Sequence, residues 1–198
     1  EGAYSKVIKA IDNISKFCGD STKITILTII MKKNLNELLD FAKWVERDNR
    51  LLSIYYMALT NAGLAPDRED WYNSEKCDQI WPNDYNKVDE VINGLVNLKR
   101  KGFKKICNPV SQLNAFKSYY KAPWRKPDNM KLDYYDGYVM LESFGGVSLC
   151  SEPLGNIREY TLKELWHSDN AARARKKIAN NEVKPEVLIN CKQAFPND

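Results

Sequence analysis

The chain contains one histidine, His167, and five scattered cysteines, of which the closest two, Cys77 and Cys107, lie 30 positions apart. This scarcity excludes the usual zinc site, which draws four ligands from closely spaced cysteine and histidine pairs. An odd number of dispersed cysteines also forms no disulfide framework, and together with the lack of a signal peptide it predicts a cytoplasmic protein. His167 stands just before Ser168, a good helix-capping residue, so we interpret it as a surface residue at a helix boundary rather than an acid–base catalyst.

Long apolar runs are lacking as well, and none approaches the ~20 residues that cross a bilayer, so we expect no membrane partner. There is no G-x-S-x-G, P-loop or dinucleotide fingerprint, which leaves hydrolase, kinase and Rossmann functions without supporting residues. The net charge of +4 comes from 30 basic and 26 acidic side chains. The densest basic run, residues 99–105, follows a predicted helix, where cations interact favourably with the helix dipole. We therefore expect no nucleic-acid partner.

Helices and strands alternate in the pattern of the first 120 residues. The β-branched run at residues 23–31 predicts a strand buried on both faces, and residues 51–59 and 105–107 predict two further strands. Apolar periodicity predicts helices at residues 4–19, 84–102 and 111–120, and another after Asn34 and Glu37, which have capping-box spacing. This order predicts an α/β fold built on a parallel sheet.

The segment from residue 138 to residue 166 is the most informative part of the chain. It predicts, in order, a strand at residues 138–141, a turn at Gly145 and Gly146, a return strand at residues 147–150, a turn at Gly155, and a helix after Thr161. Thr161 and Glu164 form a capping box. Cys150 thus lies at the end of a rigid hairpin, where it is either a ligand of a metal cluster or a small buried thiol of the core.

Gly145, Cys150 and the phrase GNIREYTLKELW resemble the SPASM or twitch extension of radical S-adenosylmethionine (radical SAM) enzymes. In that family the extension carries an auxiliary 4Fe-4S cluster, bound by cysteines of such a hairpin and of a segment after the helix. The resemblance implies Cys150 and, in the phrase INCKQAF, Cys191 as metal ligands. The cysteine that usually precedes the hairpin has no counterpart in residues 129–135, and Ala194 stands where the tail commonly continues with another cysteine.

The preceding alternation resembles the later half of the radical SAM partial (β/α) barrel, notably in TILTIIMKKNLNELLDFAKW and LKRKGFKKICNPVSQLNAFKSYY. The resemblance implies a partial barrel over residues 1–122 and a small β-hairpin-plus-helix extension over residues 123–198. The family's C-x3-C-x2-C loop and its glycine-glycine-glutamate segment are both missing, and the chain begins at Glu1. We therefore interpret it as the C-terminal part of a longer enzyme, inactive by itself.

The resemblance implies that the intact parent cleaves S-adenosylmethionine reductively and takes a hydrogen atom from a peptide or small-molecule substrate. Its cofactors would be a 4Fe-4S cluster and S-adenosylmethionine. Barrel loops at this edge face the substrate in the family, so the long connection at residues 62–82 offers candidate substrate-side groups: Asp67, Glu69, Asp70 and Cys77. We prefer to interpret this connection as a surface loop pinned by Trp71 and Trp81. The alternative function is a non-catalytic α/β interaction module with structural cysteines.

Overall fold

A computed structural model describes residues 3–19, 22–61, 64, 69–127, 130, 139–180 and 182–195, which form helices around two small sheets. The helices are α1 (Ala3–Cys18), α2 (Leu38–Arg47), α3 (Glu75–Asp78), α4 (Tyr85–Arg100), α5 (Val110–Lys121), α6 (Leu162–Trp166), α7 (Asp169–Ala179) and α8 (Pro185–Ile189). The strands are β1 (Ile24–Ile30), β2 (Leu51–Ala58), β3 (Met140–Leu141), β4 (Gly146–Leu149) and β5 (Glu152–Asn156). Within the described ranges, no helix is both long enough and apolar enough to span a membrane.

The first sheet consists of β1 and β2, which pair in parallel along their whole length, with Ile30 opposite Ala58 at the end. The predicted parallel pairing is confirmed, and the fold is a mixed α/β one. The predicted third strand at residues 105–107 is wrong, because only Ile106 forms a β-bridge to Ile54 of β2. Pro109 follows closely and has no N–H to continue a ladder, so the chain turns into α5 instead.

Helices cover one face of this sheet, where Ile30, Ile54 and Tyr56 are fully buried. On the other face of β1, Leu27 is 66% and Ile29 is 41% exposed. The prediction that β1 is buried on both faces is therefore wrong, since no described element covers this side. The sheet therefore presents an apolar surface on this side.

The predicted capping box before α2 is also wrong. Helix α2 begins at Leu38 after Glu37, and Glu37 makes no side-chain capping bond. The Asn34 amide instead closes the turn after β1: its Oδ1 accepts a hydrogen bond from Met31 N–H at 2.9 Å, and its Nδ2 donates to the Ile29 carbonyl at 2.8 Å. Asparagine readily bonds nearby backbone in this way, which makes it a turn residue as much as a capping residue.

Two consecutive tyrosines of α5 tie this helix to the carboxyl ends of both strands. The Tyr120 hydroxyl donates to the Ile30 carbonyl at 2.8 Å and accepts from Leu59 N–H at 3.0 Å. The Tyr119 hydroxyl donates to the Leu59 carbonyl at 3.0 Å. Burial raises the pKa of both phenols well above the usual range. Both therefore keep the protons with which they donate.

The described part of the long connection, residue 64 and residues 69–82, is held by aromatic contacts. Trp71 and Trp81 are each 2% exposed, and their ring centroids lie 5.1 Å apart. The Trp81 ring also meets the rings of Tyr119 and Tyr120, at 6.0 and 5.0 Å. The interpretation of a loop pinned by two tryptophans is confirmed.

Replacing Tyr120 by phenylalanine should lower the free energy of unfolding by about 2 kcal/mol, because the buried Leu59 N–H loses its acceptor. Urea denaturation measures this loss. The control is Tyr4→Phe, at a side chain that is 69% exposed, which should change stability by less than about 0.5 kcal/mol. Equal losses in the two variants would contradict the assignment.

Candidate functional site

The second sheet is an antiparallel meander in the order β3-β4-β5. Leu141 of β3 pairs with Val147 of β4, and between them Gly145 N–H donates to the Glu142 carbonyl at 2.8 Å. Gly145 has a φ of 90°, a backbone conformation that glycine adopts without strain. The predicted hairpin turn is thus confirmed. Residues 131–138, which include the predicted start of its first strand, lie outside the described residues.

Cys150 lies not at the end of a strand but in a second, two-residue turn. Strand β4 stops at Leu149, which pairs with Glu152 of β5, so Cys150 and Ser151 alone connect the two strands. Their φ values are 49° and 67°. Two positive φ angles are what a type I′ hairpin turn requires, and Asn-Gly usually supplies them. Each non-glycine residue in this region costs on the order of 1 kcal/mol, so the Cys150 turn is strained.

Strand β5 itself was missed by the sequence interpretation, and the predicted turn at Gly155 is wrong. Gly155 lies within β5 with a φ of 147°. A Cβ added there would lie 2.6 Å from Cδ2 of Leu165 in α6. The glycine is required by the close approach of α6 to the strand.

Two capped helices follow the meander, as predicted. The Thr161 hydroxyl accepts from Glu164 N–H at 3.2 Å, and the Glu164 carboxylate accepts from Thr161 N–H at 2.7 Å, which confirms the capping box. The hydrogen bonds that the Thr161 N–H and the Thr161 hydroxyl donate to the Glu164 carboxylate lower the pKa of this carboxyl below its usual value. Ser168 caps α7 by accepting from Ala171 N–H at 3.2 Å. His167 lies exposed between the two helices, which confirms its interpretation as a boundary residue.

Cys191 lies on a different element, after α8, a short helix that the sequence interpretation did not predict. Its N–H donates to the Leu188 carbonyl at 2.9 Å, and its own carbonyl accepts from Ala194 N–H at 3.0 Å. The thiol-bearing residue is half-buried and packs against the core. The backbone on both sides of Cys191 is thus held in a fixed turn.

Asn190, immediately before Cys191, binds the edge of β2. Its Oδ1 accepts from Ala58 N–H at 2.7 Å and its Nδ2 donates to the Ala58 carbonyl at 2.9 Å. The Tyr55 hydroxyl donates to the Asn190 carbonyl at 2.6 Å. The side-chain amide of Asn190 therefore takes the place that the backbone of a neighbouring strand would have.

A second asparagine, which is fully buried, does the same one rung earlier. Asn108 Oδ1 accepts from Tyr56 N–H at 2.7 Å, and its Nδ2 donates to the Tyr56 carbonyl at 2.8 Å and to Gln112 Oε1 at 3.0 Å. Gln112 Nε2 donates to the Tyr55 hydroxyl at 2.7 Å and to the Ile189 carbonyl at 2.9 Å. We call Asn108, Gln112, Tyr55 and Asn190 the amide network. The sequence interpretation missed this network. The one local signal is that two amide side chains, Asn108 and Gln112, stand four positions apart among apolar residues.

The three candidate substrate-side residues that the structure describes differ in their exposure. Cys77 is 0% exposed within the core, whereas Glu69 and Asp70 are exposed, and Asp67 lies outside the described residues. All five cysteines belong to the described ranges and carry thiols rather than disulfides. Nowhere in those ranges do three or more histidine, cysteine, aspartate or glutamate residues form a group that could hold a metal ion.

Residues 134–193 match the family model of SPASM, an iron–sulfur cluster-binding domain. The matched segment contains the meander, both capped helices, Cys150 and Cys191. Comparison with curated proteins and with solved structures found no match to the chain. Residues 134–193 are thus similar to a type of domain that binds iron–sulfur clusters.

The residues present do not fit a complete 4Fe-4S site. Such a cluster is normally held by four cysteine thiolates. The matched segment contains two cysteines, Cys150 and Cys191, on separate elements. Cys150 and Cys191 stay the predicted metal ligands, but they supply only two of the four thiolates that a 4Fe-4S cluster normally has.

Because of the strain in the Cys150 turn, Ser151→Gly should raise the free energy of unfolding by about 0.5–1 kcal/mol, and Cys150→Asn should have a similar effect. Chemical denaturation of each variant against the wild type measures this. A Ser151→Gly protein no more stable than the wild type would show that the turn is not strained.

Anaerobic reconstitution with iron and sulfide should leave well under four iron atoms per chain. Cys150→Ala should abolish the iron that does bind, while Ser151→Gly, the neighbouring control, should retain it. Iron determination and visible absorbance measure both. Iron uptake that is unaffected by Cys150→Ala would remove this residue from any site.

Proposed function

We propose that this chain is the C-terminal part of a radical SAM enzyme. Residues 1–122 would form the later half of its partial barrel, and residues 123–198 a SPASM-like extension that serves an auxiliary iron–sulfur cluster or substrate binding. The match of residues 134–193 to SPASM carries this proposal.

The first sheet supports the barrel part of the proposal. Its two strands are parallel and its helices pack on one face, as in the wall of a (β/α) barrel. Leu27 and Ile29 point to the other face, which in a barrel is the inner wall facing the remaining strands and the substrate. An exposed apolar sheet face of this kind usually marks a surface that another element covers.

In the proposed parent, S-adenosylmethionine is cleaved reductively and a hydrogen atom is taken from a peptide or small-molecule substrate. The cysteine loop for that step is not in this sequence, so the chain alone should be inactive. What its own residues would supply is position: the tyrosines of α5 hold the carboxyl ends of β1 and β2, and the amide network holds the extension beside them. We place the parent in the cytoplasm, without a nucleic-acid or membrane partner.

The alternative is a non-catalytic α/β interaction module. It is favoured by Cys77, which is fully buried, and by the packing of Cys150 and Cys191 against the core. In this case the cysteines serve the fold alone, and no iron should bind after reconstitution.

Sequencing the coding DNA in frame upstream of Glu1 tests the proposal. An open frame with C-x3-C-x2-C and a following glycine-glycine-glutamate strand is the expected result. A stop codon directly upstream would overturn the enzyme assignment and favour the interaction module.

A further inference from the structure

We propose that the SPASM-like extension is fastened to the sheet by the amide network, and that it folds and docks without a resident cluster. This inference rests on the proposed assignment of residues 123–198 as such an extension. It concerns a different property from the parent enzyme's activity, namely what holds the extension in place.

The matched segment has too few cysteines for the cluster that the matched family binds. Cys18, Cys77 and Cys107 are the other cysteines of the sequence. Cys77 is sealed in the core, and Cys107 lies beside the bridge to β2, where its N–H donates to the Ile54 carbonyl at 2.9 Å. None of these three cysteines joins Cys150 and Cys191 in a group of three or more metal-ligating side chains within the described ranges. A cluster would thus lack protein ligands from these positions.

The extension also contributes a set of apolar side chains to the buried core. The members of this set are at most 3% exposed: Val147, Leu149, Leu154, Leu165, Ala171, Ala174 and Ile178. They come from β4, β5, α6 and α7, so every element of the meander-and-helix unit between residues 146 and 179 contributes. Small domains that depend on a metal for folding bury too little apolar surface to fold without it.

Four hydrogen bonds connect Ile189 and Asn190, the two residues before Cys191, to β2 and α5. Asn190 exchanges two with Ala58, Tyr55 donates one to the Asn190 carbonyl, and Gln112 donates one to the Ile189 carbonyl, all between 2.6 and 2.9 Å. Ile189 is 0% exposed. Asn108 and Gln112 are fully buried, Tyr55 and Asn190 are half-buried, and a network whose members are all hydrogen-bonded rigidifies the structure around it. Here the network holds residues 189–190 against β2, so that a bound cluster is not needed to position them.

Asparagine is the side chain that this contact requires, since one amide must accept from the Ala58 N–H and donate to the Ala58 carbonyl at once. Aspartate has the same shape but only accepts, so it would place a carboxylate oxygen against the Ala58 carbonyl. Asn190→Asp therefore tests the hydrogen bonds with little change in packing.

The experiment measures thermal unfolding of the full chain. Asn190→Asp should lower the Tm by about 5 °C or more, since a buried carbonyl loses its donor. The matched control is Asn93→Asp, at an exposed residue whose Oδ1 accepts from Lys117 Nζ, and it should shift the Tm by less than about 2 °C. Tyr55→Phe, a milder change, should give an intermediate loss and serves if Asn190→Asp does not fold. A carboxylate can still accept from the Ala58 N–H, but its repulsion by the Ala58 carbonyl should open the contact more often, so hydrogen exchange at the Ala58 amide should rise in Asn190→Asp and not in the control.

Thermal unfolding also tests whether the extension needs a metal. The Cys150→Ala, Cys191→Ala double variant, and the wild type treated with a strong iron chelator, should each keep the Tm within about 3 °C. About four iron atoms per chain after reconstitution, with a Tm that rises on loading and falls on chelation, would overturn the proposal. So would an Asn190→Asp protein as stable as Asn93→Asp. Neither outcome depends on the upstream coding sequence, so this inference and the proposed parent enzyme can fail separately.

Discussion

The outer edge of β2 is the constraint on which the rest of the structure depends. On this side Ile54, Tyr56 and Ala58 present backbone N–H and carbonyl groups in a buried setting, where each unpaired group would be costly. Three different pieces of chain satisfy them in turn. The bridge at Ile106 pairs with Ile54, the Asn108 amide with Tyr56, and the Asn190 amide with Ala58.

The positions of two helices follow from this edge. Asn108 stands just before α5, so its bond to Tyr56 sets where α5 begins, and the tyrosines at the other end of α5 then reach the carboxyl ends of both strands. Asn190 stands just after α8, so its bond to Ala58 sets where α8 ends. Gln112 of α5 joins the two through its bond to the Ile189 carbonyl. The first sheet and the extension are thus parts of one hydrogen-bonded arrangement.

Local signals were the ones that sequence interpretation recovered. The capping box of Thr161 and Glu164, the capping by Ser168 and the glycine turn at Gly145 each depend on residues within four positions, and each is confirmed. The contact of Asn190 with Ala58 spans 132 positions, and no periodicity or spacing points to it. Strand β5 was missed because of a misleading local signal: Cys150 and Ser151 are residues that a two-residue turn disfavours, so the sequence did not indicate a turn before this strand. The buried state of β1 was overestimated because a β-branched run reports strand preference and not what covers each face.

Cys150 and Ser151 adopt a strained backbone conformation in the turn between β4 and β5. A residue in a sparsely populated backbone region persists only where its surroundings determine the conformation, and here the paired ends of β4 and β5 and the core beneath them do so. Asn-Gly would form the same turn without strain, so the turn by itself does not require a thiol. Strain of this kind clusters at functional sites. The Cys150 side chain packs against the buried core, so its place in the structure suits a structural thiol as well as the predicted metal ligand, and the iron content of Cys150→Ala decides between the two.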